Sequence, residues 1–318
     1  TTVDKKTMAP GIGMKTLGTI GVVTLLAVSS LSAATKSPLA DAAERMDRVA
    51  VQSLLKQRMD VNVPQVDGMT ALHWAAYQDD TEAAKLLLDA GANVKAENRY
   101  GVTALSLACQ SGNTALVELL LSTGADPNTL LRGGETVLMT AARTGRTGPV
   151  KALLSRGAKV DLKEQHGQTA LMWAAAEGHA AVVELLIEGG ADFRTPLPDS
   201  GFTPMFFAVR DGHLNVVRAL LKAGIDVNET MQPRKSSGKG PRKGMSPLIL
   251  AVENGHFELA EALLEAGADP NDQRSGFTAL HALTWVRKPN RGDGDDGDPA
   301  PLGSGNLSSL QLVRKLVQ

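Results

Sequence analysis

The chain has 318 residues, with 33 Lys and Arg against 34 Asp and Glu, 3% aromatic residues and a single cysteine, Cys109. Balanced charge leaves no global field to draw it to nucleic acid or anionic lipid, and one cysteine excludes an internal disulfide framework or a cluster of thiolate ligands. Few aromatics alongside many small and aliphatic residues favour close-packed helices over a β-sandwich.

In chain order, the first feature is an apolar run from Leu17 to Val28, preceded by Met14-Lys15 and followed by "SSLSAA". A short basic start, an apolar core and small residues at Ser32 and Ala34 read as a secretory signal cleaved after Ala34. An uncleaved anchor over residues 16–34 is the alternative, since that stretch approaches the lower limit for spanning a bilayer. Gly, Ser and Thr dilute the run and favour cleavage, and no cysteine follows it as a lipoprotein signal requires. Residues 1–13 read as an upstream extension before Met14. The expectation is therefore an exported protein, periplasmic or secreted.

Beyond residue 36 the chain repeats itself. "SPLADAA" at Ser37 returns as "TALHWAA" at Thr70, "TALSLAC" at Thr103, "TVLMTAA" at Thr136 and "TALMWAA" at Thr169, each step being 33 residues. "TPMFFAV" at Thr203, "SPLILAV" at Ser246 and "TALHALT" at Thr278 continue the series. In each unit a Thr or Ser caps a first helix by accepting from an orphan backbone N–H. Paired small residues let helices approach, and a glycine such as Gly112, Gly145 or Gly178 turns the chain into a second apolar helix. That helix ends at Gly91, Gly124, Gly157, Gly190, Gly224 or Gly267, where a left-handed residue favours glycine. A unit this small cannot bury its own apolar face, so neighbours must stack.

The pattern T-x-L-H-x-A-A, then G-H, V-V-x-L-L and G-A-D, resembles the ankyrin repeat, over about residues 37–318. The resemblance implies an all-α solenoid of stacked helix-turn-helix units with projecting finger loops, whose concave groove binds other proteins. With residues 1–34 read as an extension and signal from their own pattern, 35–318 are expected to form the ankyrin-repeat domain, with repeats starting near 37, 70, 103, 136, 169, 203, 246 and 278. The first unit carries polar residues suited to a cap, whereas "LQLVRKLVQ" matches a second helix without the Gly-Ala-Asp that should follow, so the C-terminal end reads as incomplete.

Glu177, His179 and Glu184 lie close together in "AAAEGHAAVVE" and could form a metal or proton-transfer site. The repeats argue otherwise. His213 and His256 recur at the place of His179, so all three are expected to bond neighbouring backbone. His73 and His281 occupy the T-x-L-H position, whose histidine in the family bonds loop backbone. Cys109 and the equivalent pair Trp74 and Trp173 read as packing residues. No phosphate loop, zinc spacing or strand-elbow serine is present, and no cofactor is expected.

Two insertions interrupt the period. Residues 229–244 carry five basic residues and read as a lengthened finger, either solvated or facing an acidic partner. Residues 287–306 contain Asp293, Asp295, Asp296 and Asp298, but Gly297 and Ser304 stand where an EF-hand needs ligands, which disfavours calcium at 293–298.

Because the framework repeats, information must lie where copies differ: at finger loops and at the exposed ends of first helices. The candidate partner-binding residues are Tyr77, Gln78, Tyr100, Gln110, Arg132, Arg143, His166, Glu177, Phe202, Arg210, Arg242, Lys243, Phe277 and Trp285, with Tyr77, Tyr100, Phe202 and Arg143 foremost as interface types. The expected function is a non-catalytic scaffold binding a protein partner, with neither nucleic acid nor membrane contact beyond the signal segment. The rival is a targeting or inhibitory arm of a larger exported enzyme.

Overall fold

The computed structural model describes residues 37–234, 242–286 and 305–317. The N-terminal stretch read as a signal and the 293–298 acidic run lie outside them. Among the described residues there are only helices and two isolated β-bridges. They come in pairs: α1 (Pro38–Glu44) with α2 (Arg48–Lys56), α3 (Ala71–Tyr77) with α4 (Thr81–Asp89), and α5 (Ala104–Ser111) with α6 (Thr114–Ser122). Next come α7 (Val137–Thr144) with α8 (Thr147–Ser155), α9 (Ala170–Ala176) with α10 (Ala180–Glu188), and α11 (Pro204–Arg210) with α12 (Leu214–Lys222). The last are α13 (Pro247–Glu253) with α14 (Phe257–Glu265), and α15 (Ala279–Val286) with α16 (Ser309–Leu316). First helices pack on first helices in one row, and second helices on second helices in another. Each is too short to persist in water alone, so neighbours supply its stability.

The leucine two places after the cap shows this. Leu72, Leu105, Leu138, Leu171, Met205 and Leu248 are all at most 1% exposed. Leu280, at the same place in the last pair, is 37% exposed, so the adjoining unit, and not the residue's own helix pair, provides the burial. Full burial of such a side chain contributes roughly 1.5–3 kcal/mol. Small residues at Ala75, Ala76, Ala108, Ala141 and Ala174 are also buried and let the first-helix row close up.

The expected caps form. The hydroxyls of Thr70, Thr103, Thr136, Thr169 and Ser246 accept from the backbone N–H three residues on. Thr203 departs from this: its hydroxyl donates to Glu229 Oε1 at 2.7 Å and does not cap α11. The turn glycines are left-handed, Gly145 at φ 72° and Gly178 at φ 79°. In the first two units Met46, Arg58 and Asp79 hold that conformation at φ 57°, 59° and 60°, at places where later copies have glycine.

Candidate functional site

The turn histidines join successive units. Nε2 of His179 lies 3.0 Å from the Arg143 carbonyl, that of His213 2.8 Å from Ala176 O, and that of His256 2.9 Å from Arg210 O. Each ring thus reaches back to the end of the preceding first helix. None caps its own helix through the side chain. A Cβ added to Gly145 would lie 2.6 Å from His179 Nδ1, and one on Gly178 2.6 Å from His213 Nδ1. These glycines therefore provide both a left-handed backbone and a seat for the next histidine. Glu177 and Glu184 are exposed, and among the described residues no three His, Cys, Asp or Glu gather as metal ligands would.

His73 ties its finger to the next one. Its Nδ1 accepts from the Thr70 backbone N–H at 3.2 Å, which leaves Nε2 protonated to donate to Val102 O at 3.0 Å. Burial pushes its pKa down, against the raising effect of the bond to Val102. His281 repeats the inner half of this arrangement, with Nδ1 2.8 Å from Thr278 Oγ1. Cys109 is fully buried and burial pushes its thiol up, so it packs and does not react.

Several candidate partner-binding residues line the ends of the first-helix row. Tyr77, at 60% exposed, makes an edge-on contact with Trp74, ring centroids 5.7 Å apart. Gln78 donates to Glu44 O at 3.3 Å, while Gln110, Arg143, Glu177 and Arg210 are exposed. On the fingers, Tyr100 is 63% exposed, and Arg132, His166 and Lys243 are exposed as well. Arg132 donates to the Arg99 carbonyl, bridging two fingers. The side chain of Trp285 lies outside the described residues.

Phe202 is a correction. It is only 9% exposed and packs against Phe206 and Phe207, so it belongs to the core and not to the open face. The apolar residue just before the cap turns inward elsewhere too, as Met69 at 8% and Met245 at 4% show. Arg210 covers this cluster, its guanidinium 5.6 Å from the Phe202 ring and 5.3 Å from Phe207, while pairing with Asp211 at 2.7 Å. Arg242 pairs with Glu253 at 3.0 Å and lies 5.1 Å from the partly buried Phe277 ring. Far from projecting, this basic residue is folded onto the first-helix row. The base of its finger is closed by Met231 N–H to Met245 O and Gly244 N–H to Met231 O, both 2.9 Å; residues 235–241 lie outside the described ones.

Trp173, read only as packing, belongs to this surface. The Arg143 guanidinium sits 5.5 Å from its ring centroid. The two are thirty places apart in adjacent units, and the only sequence signal was an aromatic at the fifth place of one unit beside a cation at the eighth of its neighbour.

The family description "Ankyrin repeats (3 copies)" matches residues 39–130, 96–164 and 138–231, and "Ankyrin repeats (many copies)" matches 205–264 and 248–285. No curated protein matches the sequence. The structure is similar to that of the human ASB11 ankyrin repeat domain, with a TM-score of 0.62 and 27% identity, over 74% of this chain and 100% of that one. Matches extend to 611 solved chains, so the fold singles out no partner. The all-helical stack, its repeat caps and the matches across residues 39–285 establish that the chain belongs to the ankyrin-repeat family.

Proposed function

We propose that this ankyrin domain is a non-catalytic scaffold that holds a partner protein against the ends of its first helices and its fingers. The carrying observation is that Tyr77 at the end of α3 and Tyr100 on the finger before Thr103 leave large rings 60% and 63% exposed. Rigid aromatic side chains of this kind anchor protein interfaces at low entropic cost. Family membership supports the reading, since ankyrin repeats are commonly protein-interaction modules. The binding set comprises Tyr77, Gln78, Tyr100, Gln110, Arg132, Arg143, His166, Glu177, Arg210 and Lys243, with Phe202 removed to the core and Arg242 and Phe277 contributing the edge of the face. Export by the apolar segment before Thr35 is part of the same proposal and rests on the sequence pattern alone.

The test is affinity capture from the periplasmic and secreted fractions of the source cells, comparing the wild-type protein with the Tyr77→Ala/Tyr100→Ala variant. Loss of a specific bound protein, with unchanged helical circular dichroism, is expected. Equal capture by both proteins would place binding elsewhere. The intact mass of the purified native protein tests export: a species starting at Thr35 is expected, and one retaining Met14 in the cytoplasm would overturn it.

A further inference from the structure

Trp74 and Trp173 occupy equivalent places in two units, yet their indole N–H groups meet different fates. Trp74 Nε1 donates to Gln65 Oε1 at 2.6 Å, an acceptor supplied by its own finger. The counterpart of Gln65 in the later unit is Glu164. Its Oε1 is engaged by the finger backbone, accepting from His166 N–H at 2.8 Å and Gln168 N–H at 2.9 Å. Trp173 Nε1 is left buried with no hydrogen-bond partner among the described residues. Native structures rarely leave a buried donor in this condition.

The cation beside that donor is uncommitted as well. Arg210 and Arg242 pair with Asp211 and Glu253, whereas Arg143 makes no ion pair among the described residues. Glu135, at the base of its own finger, accepts from Thr140 Oγ1 at 3.0 Å. Glu177, just past the end of α9, does not pair with it. Arg143 is exposed, and its guanidinium is stationed at the Trp173 ring. With no ion pair to hold it there, its N–H fork is available to a carboxylate once the side chain swings off the ring.

We infer that Arg143 and the Trp173 indole N–H together form a carboxylate-binding site for an Asp or Glu side chain of the partner protein. This rests on the protein-binding reading above. A carboxylate has two oxygens and four lone-pair sites, enough to accept from the guanidinium fork and from the indole at once. A single carboxylate would neutralise Arg143, whereas Arg210 and Arg242 in later units already have carboxylate partners. A polyphosphate chain calls for several cations in a row. Docking requires the exposed Arg143 side chain to shift from over the ring to beside it, a rotamer change of a kind common at interfaces.

The experiment uses the full-length 15N-labelled protein, whose three tryptophans give separate indole N–H signals assignable by Trp→Phe variants. It is titrated with a hexaglutamate peptide, with hexaglutamine and with inorganic phosphate. A saturable downfield shift of the Trp173 indole proton with hexaglutamate alone is expected, while the Trp74 signal stays in place. Arg143→Gln should weaken that binding by about tenfold or more. Trp173→Phe, which keeps the ring and removes the donor, should weaken it by a smaller factor. An unmoved Trp173 signal, an equal response to hexaglutamine, or full affinity in Arg143→Gln would overturn the site, and a preference for phosphate would reassign it. If hexaglutamate moves backbone signals of α3 and α5 but not the Trp173 indole, the carboxylate site fails and the protein-binding reading stands. That reading fails separately, if capture survives loss of Tyr77 and Tyr100.

Discussion

The imidazole of His73 spans two fingers, accepting from the Thr70 backbone through Nδ1 and donating to the Val102 carbonyl through Nε2 at 3.0 Å. Protonation would turn Nδ1 into a donor facing the Thr70 N–H, so the neutral ring is the one the fold requires. Its folded pKa lies below the usual value, while the unfolded chain titrates near about 6.5. Below that pH the unfolded state binds more protons. The stabilisation is therefore complete above about pH 6.5 and is lost as pH falls from there through the lower folded pKa. Urea melts across pH 5–8 should show this slope, and His73→Ala should flatten it while lowering stability by about 1–3 kcal/mol.

Glu229 works in the opposite sense. Burial raises its pKa to about 7, helped by nearby Asp226 and resisted by the hydrogen bond from Thr203. The folded protein then holds a proton that the unfolded chain releases near pH 4.5. Its contribution is fully present below that pH and is lost as pH rises through 7. Glu229→Gln keeps an acceptor for the Thr203 hydroxyl without the charge. It should be the more stable protein at pH 8 and lack the decline seen in wild type.

Met46 and Arg58 hold left-handed conformations at φ 57° and 59°, where an L side chain meets its own backbone. Met46→Gly and Arg58→Gly should each stabilise by about 0.5–1 kcal/mol, the relief of strain exceeding the added freedom of the unfolded chain. Asp79→Gly should gain less. Asp79 Oδ1 accepts from Asn113 Nδ2 at 2.7 Å, and that bond would be lost. Denaturation midpoints of the three variants provide the comparison.

Gly145→Ala brings a methyl group against the His179 ring, 2.6 Å from Nδ1, whereas Gly91→Ala meets nothing within 4 Å. Both incur the conformational cost of a left-handed alanine, about 1 kcal/mol. Gly145→Ala should cost at least about 1 kcal/mol more than Gly91→Ala. Combining it with His179→Ala should recover that excess, which a double-mutant cycle measures.

Phe202→Ala should destabilise by about 3 kcal/mol, as a truncated core aromatic does. Tyr77→Ala/Tyr100→Ala should shift thermal unfolding little, because both rings are solvent-exposed. A reversal of that order would place Phe202 on the surface and the tyrosines in the core.

Some of the surface could be read from sequence because its positions follow from helix register. Tyr77, Gln110, Arg143 and Arg210 share one place in four units, the intervening unit having Ala176 there, and the structure leaves all four exposed. Phe202 was misread because variability between copies was equated with exposure. The signal that could have corrected it was present, since its counterparts Met69 and Met245 are also apolar. The engagement of Arg242 with Glu253 and Phe277 had no such signal. Which way a long side chain turns depends on partners brought together only when units stack.

The sequence by itself determined the unit and its count. The Thr and Ser caps, the left-handed glycines and the spacing of Leu and Ala are local requirements of a helix pair that cannot bury its own face. Tertiary structure alone decided which side chains meet across unit boundaries. His73 reaches Val102, His179 reaches Arg143 and Arg143 reaches Trp173 because stacking places residues about one repeat apart within bonding distance. It also decided which polar groups remained unsatisfied: Glu164 Oε1 accepts from its finger backbone, while Trp173 Nε1 has no partner among the described residues.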